Sequence, residues 1–224
     1  MQLIIVNQPR VYPRKPRYQN SKRLFDLVLC FVALPLVLPV MLLCALAILI
    51  DSGRPIFFMQ QRIGKGGRPI RIYKFRTLKT NLDETYNRSF MKSYVRGELG
   101  QSRVGNETFK PRIEDQVIRV GRFLRRTSLD EIPQLINVIK GEMSIVGPRP
   151  NVPWEVEEYR SWHCERLEVM PGITGLAQVR GRSSLSFDSL VRHDINYIEN
   201  QSLLLDLKII WWTFISVIFR KGAG

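Results

Sequence analysis

The run Leu27-Val-Leu-Cys-Phe-Val-Ala-Leu-Pro-Leu-Val-Leu-Pro-Val-Met-Leu-Leu-Cys-Ala-Leu-Ala-Ile-Leu-Ile50 holds no charge and no strongly polar side chain. As a straight helix at 1.5 Å per residue it reaches about 36 Å, against roughly 30 Å of bilayer hydrocarbon. Soluble core helices are rarely apolar on every face over such a length, so the run reads as a membrane segment. A cleaved signal peptide fits poorly, because the run is too long and no small-residue cleavage site follows Ile50. Pro35 and Pro39 lie near its middle. Each removes a helical hydrogen bond and crowds the preceding turn, so a sharp bend is expected around Pro35, Leu38 and Pro39. The result would be a re-entrant helix-break-helix hairpin that returns to the face it entered, with a kinked spanning helix as the alternative.

Charge supports the return. The formal net charge is +14 over 224 residues. Residues 1–26 carry +5, residues 51–79 carry +7, and everything from residue 80 onward carries +2. Basic flanks on both sides of one apolar run place both in the cytoplasm by the positive-inside tendency. With 45% hydrophobic residues the chain is no disordered polycation. The basic balance calls instead for an anionic partner. Cys30 and Cys44 lie inside the apolar run and Cys164 lies outside it, so neither a disulfide framework nor a zinc spacing exists.

These readings divide the chain into a basic N-terminal extension (1–21), a re-entrant membrane helix (22–51) and a cytoplasmic catalytic domain (52–221) of α+β class. Residues 56–78 alternate as two strands around Gly64-Lys-Gly-Gly67, a β-hairpin with a basic second strand. That turn is no Walker loop, since the Gly-Lys-Ser/Thr ending is missing. Residues 80–118 are polar and weakly periodic and read as a surface insertion with one short helix. Residues 203–219 are apolar but interrupted by Asp206 and Lys208, contain Trp211-Trp212, and suit an amphipathic helix in the membrane interface. An ordinary terminal helix packed on the core fits them equally.

The most informative local signal is Arg125-Arg-Thr-Ser-Leu-Asp-Glu-Ile-Pro-Gln-Leu-Ile-Asn-Val-Ile139. Ile132, Leu135, Ile136 and Ile139 repeat at helical spacing and predict one buried face. A start at Ser128 or Asp130 puts Asp130 and Glu131 in the first turn, where free N–H groups favour an ionised carboxylate. Ser128 with Glu131 also matches a capping box, which is the structural reading of the same residues. Two adjacent acids after Arg125-Arg126 in a basic, membrane-attached protein suggest more. An ionised carboxylate is a nucleophile toward phosphorus, and its neighbour can hold the Mg²⁺ that neutralises phosphates. Cationic clamps on phosphate oxygens would complete such a site, with Lys74, Arg76, Arg149, Arg180 and Arg182 as candidates. Among these, Arg149 stands out because prolines bracket it in Gly147-Pro-Arg-Pro150.

Six ordered segments carry a resemblance: Lys22-Arg23-Leu-Phe-Asp26, Tyr73-Lys-Phe-Arg-Thr77, Ser128-Leu-Asp-Glu-Ile-Pro-Gln-Leu135, Met143-Ser-Ile-Val-Gly-Pro-Arg-Pro150, Pro171-Gly-Ile-Thr-Gly-Leu-Ala-Gln178 and Leu205-Asp-Leu-Lys208. Together they resemble the bacterial monotopic phosphoglycosyl transferases, of the bacterial sugar transferase family, from about Lys22 to Lys221. The resemblance implies a re-entrant membrane helix and an active site facing the cytoplasm at the bacterial inner membrane. It implies transfer of a sugar-1-phosphate from a UDP-sugar to undecaprenyl phosphate with Mg²⁺, early in surface polysaccharide synthesis. By it, Asp130 is the nucleophile of a covalent phosphosugar intermediate and Glu131 is linked to the metal with Asp130. Arg125, Arg149 and Arg182 are associated with phosphate and nucleotide, and Thr174 and Gln178 join the substrate set. The lipid bilayer and downstream glycosyltransferases are further partners, a homodimer is left open, and no nucleic acid is expected. Lacking four extra membrane helices, the chain resembles a minimal member or the catalytic core of a larger one.

Some residues depart from the family pattern. Leu38 stands before Pro39 where small members carry Ser, Leu34-Pro35 duplicates the pair, Val179-Arg-Gly-Arg182 replaces Val-Asn-Gly-Arg, and the 80–118 insertion is long. Sugar identity is therefore not carried over. A direct transfer with Asp130 or Glu131 as general base is the alternative mechanism. A nucleic-acid binder or a membrane-tethered scaffold are the alternatives of other classes. Nucleotide-sugar D-x-D, G-x-S-x-G and H-E-x-x-H signatures are absent, and the two histidines, His163 and His193, read as structural or surface residues.

Overall fold

The computed structural model describes residues 16–79, 85–98, 114–181 and 184–219. The chain begins with a long helix, α1 (Pro16–Ser52), followed by the hairpin β1 (Phe57–Ile63) and β2 (Pro69–Phe75). Next come α2 (Thr85–Arg96), α3 (Arg119–Thr127), a 3-10 segment (Leu129–Gln134), α4 (Leu135–Lys140) and β3 (Ser144–Val146). The remainder is α5 (Pro153–Val156), a second 3-10 segment (Ser161–Leu167), β4 (Gly172–Thr174), α6 (Leu176–Arg180), α7 (Phe187–Glu199) and α8 (Leu203–Ile218). The mixed, helix-rich class with small sheets agrees with the α+β expectation.

Helix α1 corrects the expected helix-break-helix. The helix runs unbroken through Pro35 and Pro39. Each proline silences one donor, and because they stand four apart, only the carbonyls of Phe31 and Pro35 lose a partner, too few to end a helix of 37 residues. Among the described residues α1 is the one helix long and apolar enough to cross a membrane. Both of its ends pack on the same body. Cys30 joins a core cluster with Ile72, Val138 and Met143, while Cys44 and Ile48 join one with Phe75, Ile118 and Leu124. Between these anchors one side of the helix is open, with Val32 72% and Leu36 75% exposed, while Val40 and Met41 pack against the second cluster.

A polar network fastens the first end. Lys22 Nζ lies 3.1 Å from Asp26 and 3.3 Å from Asp206 of α8. Tyr18 and Tyr197 donate to Asp206 at 2.9 and 2.8 Å, and Ser144 of β3 donates to Asp26 at 2.7 Å. Thus the two flanking motifs, Lys22–Asp26 and Leu205–Lys208, meet as one structural joint. Arg23 adds hydrogen bonds to the carbonyls of Val138 and Ile139 at the end of α4.

The expected hairpin forms in antiparallel register, Phe57 against Phe75 through Ile63 against Pro69. Its turn uses Gly66 and Gly67 at φ of 67° and 76°, which glycine adopts at little steric cost. The second sheet is a parallel pair, Ser144 against Gly172 and Val146 against Thr174. Here two backbones touch: a Cβ on Gly172 would sit 2.1 Å from the Gly147 nitrogen, and one on Gly147 would sit 2.3 Å from the Met170 carbonyl oxygen. Only glycine permits this approach, and it fixes the root of the Gly147–Pro150 loop.

Other expectations change in the folded chain. The face predicted to be buried on α4 is partly turned outward, with Ile136 40% and Ile139 36% exposed, while Asn137 and Val138 are fully buried. Asn137 earns its interior place by accepting from the Tyr73 N–H and donating to the Arg71 carbonyl and the Glu142 carboxylate. The short helix expected in the insertion is α2, yet its Tyr94 and Val95 are buried against Phe187 and Val191, so it belongs to the core. Of the insertion, residues 85–98 and 114–118 are described. Helix α8 buries Asp206 and Ile209 and leaves Leu204, Leu207, Trp211 and Phe214 exposed as one apolar stripe.

Candidate active site

Three elements converge on the acidic pair. Strand β2 supplies Lys74, the 3-10 segment supplies Asp130 and Glu131, and the loop after β3 supplies Arg149. Helix α3 ends at Ser128, which takes the left-handed conformation (φ 58°, ψ 16°), and the chain turns into the 3-10 segment. The capping box does not form, since Ser128 makes no side-chain cap. The Glu131 carboxylate points instead to Lys74 Nζ at 2.6 Å and to Arg149 Nη2 at 3.0 Å, with Arg149 Nη1 at 3.5 Å from its second oxygen.

The two acids are thereby made unequal. Burial alone would raise the pKa of Glu131, but the Arg149 and Lys74 charges together outweigh it and hold this carboxylate well below its ordinary range. Asp130 goes the other way. Burial, then the neighbouring Glu131 charge, raises its pKa, with Lys74, Arg149 and Arg125 opposing. Among the described residues Asp130 carries no hydrogen bond or ion pair from its side chain. Its oxygens are free for an incoming electrophile, whereas those of Glu131 are engaged. Burial also lowers the pKa of Lys74, against the pull of Glu131.

The other expected site residues are distributed as follows. Arg125 is exposed in the last turn of α3 and acts on Asp130 through its charge. Arg76 is not at the acids. Its guanidinium donates to the carbonyls of Ser52, Gly53 and Arg54 and to the Ser52 hydroxyl, so it closes the end of α1. The strand ends at Phe75, and the alternation that would have put Arg76 beside Lys74 ends with it. Thr174 pairs its hydroxyl with Thr213 of α8 at 2.6 Å, a packing contact. Gln178 donates to the Ile173 carbonyl at 3.0 Å and leaves a buried Oε1 without a partner among the described residues. Arg180 stacks over the Trp212 ring at 5.3 Å. Arg182 lies outside the described residues.

A sequence model of the bacterial sugar transferases matches residues 17–220. The chain belongs to that family. It is therefore an enzyme of the transferase class. It is 39% identical over 203 residues to the exopolysaccharide production protein ExoY of Sinorhizobium fredii, covering 91% of this chain and 88% of that protein. It is 37% identical over 202 residues to the UDP-galactose-lipid carrier transferase of Erwinia amylovora, covering 90% of this chain and 41% of that protein. A third relative is the UDP-N-acetylgalactosamine-undecaprenyl-phosphate N-acetylgalactosaminephosphotransferase of Aeromonas hydrophila. Identity to it is 36% over 214 residues, covering 93% of this chain and 46% of that protein. The chain thus spans most of the first relative and less than half of the other two.

Several side chains that support the site gave no signal in the sequence. Arg62 donates to the Pro150 carbonyl at 3.2 Å, and Arg166 donates to the Arg149 carbonyl at 3.1 Å. His163 is buried, as expected of a structural residue. Its Nδ1 accepts from the Arg160 N–H, so Nε2 carries the proton toward Asp188.

Proposed function

We propose that this protein moves a sugar-1-phosphate from a UDP-sugar to undecaprenyl phosphate and releases UMP. The carrying observation is the asymmetry of the acidic pair: Glu131 is pinned between Lys74 and Arg149, and Asp130 is left unpaired beside it. The named activities of the relatives support the substrate classes. In the first step an Asp130 oxygen attacks the sugar-bearing phosphorus, the bond to the bridging oxygen breaks, and UMP leaves with that electron pair. In the second, an oxygen of the lipid phosphate attacks the same phosphorus and returns Asp130 to a free carboxylate.

Arg149 is 43% exposed, so its guanidinium can reach a diphosphate while its other edge stays on Glu131. Lys74 and Arg125 complete a cationic surround for charge that builds on non-bridging oxygens. Asp130 would be the free oxygen donor for Mg²⁺, and Glu131 would join it only by giving up Lys74 or Arg149; the ion takes one or two carboxylates and leaves its other positions to substrate phosphates and water. When bound, it would neutralise phosphate charge.

The membrane placement follows from the same surfaces. With both ends of α1 on one body and Val32, Leu36 and Leu43 among its exposed apolar residues, the unbroken helix lies along one leaflet with that side in the lipid, and the exposed stripe of α8 with Ile136 and Ile139 lies in the interface. The catalytic body then faces the cytoplasm.

Purified protein with a panel of UDP-sugars should release UMP from one class of sugar in proportion to added undecaprenyl phosphate. Without acceptor lipid, one equivalent of UMP per enzyme is the expected burst, whereas direct transfer gives none. No UMP from any sugar would remove the reaction assignment. The pH profile is a second check. Asp130 must be ionised to attack, and its pKa is raised, so kcat/KM falls with acid through a limb above the ordinary value of about 3.9. Because Lys74 favours the ionised form, Lys74→Gln moves that limb to higher pH; an unmoved limb would detach it from Asp130.

A further inference from the structure

The loop that carries Arg149 presents an unusual problem of support. Pro148 and Pro150 have no N–H to offer, so the body can hold this segment chiefly by its carbonyl oxygens. Three successive carbonyls are held. Pro148 accepts from the Gly172 N–H at 2.9 Å, Arg149 from Arg166 at 3.1 Å, and Pro150 from Arg62 at 3.2 Å. The middle donor is the most enclosed. Arg166 and Asp194 of α7 are each 2% exposed and form an ion pair at 2.7 Å. The same guanidinium also donates to Asn151 Oδ1 and to the Tyr159 hydroxyl, both at 3.0 Å. It lies 5.8 Å from the Phe187 ring centroid.

We propose that Arg166, oriented by Asp194, is a positioning residue that sets where the Arg149 guanidinium stands relative to Glu131 and the transferred phosphoryl group. The inference rests on the phosphoglycosyl transfer proposed above. Neither partner touches the acids, and their effect passes through one carbonyl to the residue that does. A planar fork serves four acceptors here, which a lysine ammonium cannot do from one point. A buried charge cluster without this duty would stabilise the fold and leave the chemistry of Arg149 indifferent to it.

The test uses the full chain in detergent or lipid discs. Arg166→Lys should lower kcat by about tenfold or more while the KM for undecaprenyl phosphate changes by less than about threefold. In an Arg149→Lys background the same substitution should cost less than about threefold, because the contact it perturbs no longer has its target. Hydrogen–deuterium exchange should quicken in the 147–156 peptide in Arg166→Lys, a readout that does not depend on turnover. Losses that multiply in the double variant, unchanged kcat, or unchanged exchange would each overturn the proposal. If Arg166→Lys does not fold, Tyr159→Phe deletes one acceptor of the same guanidinium. It should lower kcat by about threefold, again only when Arg149 is present. Absence of UMP release by the unmodified protein would remove the reaction assignment, and the exchange experiment would still judge the loop.

Discussion

Asp130→Asn should lower kcat/KM by about 10⁴-fold without lowering the melting temperature. The two halves of this expectation come from one fact. Among the described residues the Asp130 side chain has no ion pair or hydrogen bond to lose, so an isosteric amide leaves no partner stranded. Its pKa is raised by burial and by Glu131, which means that ionising it in the folded chain costs stability rather than supplying it. A raised carboxyl pKa gives a contribution that improves as pH falls toward it, and the neutral amide captures that gain at every pH. Melting temperature therefore holds or rises. Glu131→Gln behaves in the opposite sense, because Lys74 and Arg149 would face each other across a neutral amide. It loses stability as well as turnover. Incubation with a labelled UDP-sugar and no lipid, followed by mass analysis of the denatured protein, reads the mechanism directly. The unmodified chain should carry a sugar-phosphate adduct and Asp130→Asn should carry none. Turnover near the unmodified level in Asp130→Asn would remove the aspartate from the chemistry altogether.

Much of this site was readable before folding because its signals are local. The adjacent acids, the proline-bracketed Arg149 and Lys74 of the hairpin's second strand are contiguous patterns that the fold brings together, although the acids sit in a 3-10 segment rather than at a capped α-helix start. What was not readable depends on which surface each side meets. Helical spacing on α4 marked Ile136 and Ile139 as an inward face, but periodicity reports only that apolar residues share a side. Whether that side meets a core or a lipid surface is decided by the rest of the chain, and here the fully buried positions are Asn137 and Val138. Arg76 shows the same limit. Its charge pointed to phosphate, while its contacts are the carbonyls that follow α1. Arg166 and Asp194 are distant in sequence and belong to no local pattern, so nothing short of the fold could join them. Asp206 read as an interruption of an apolar stretch and proves to be the centre of a joint.

That joint carries the largest expected effect on stability. Asp206 is fully buried and serves three partners on two other helices: Lys22 at 3.3 Å, Tyr18 at 2.9 Å and Tyr197 at 2.8 Å. Asp206→Ala removes the acceptor of two buried hydroxyls and leaves Lys22 with Asp26 as its remaining carboxylate. Breaking one side of a buried pair costs about 3–5 kcal/mol, well above the worth of a surface ion pair. For a chain of this size that corresponds to a fall of roughly 10 °C in melting temperature. Asp206→Asn keeps an oxygen for the tyrosines and loses only the charge, so its loss should be visibly smaller. A thermal scan of the detergent-solubilised protein ranks the two, and a loss below about 1 kcal/mol for the alanine would show the joint to be incidental. The consequence reaches the candidate site by a short path. Asp26 accepts from Ser144 of β3 at 2.7 Å, and β3 runs directly into the loop that holds Arg149. Loosening α1 therefore loosens the strand beneath Arg149, and activity should fall in Asp206→Ala even at temperatures where the protein stays folded.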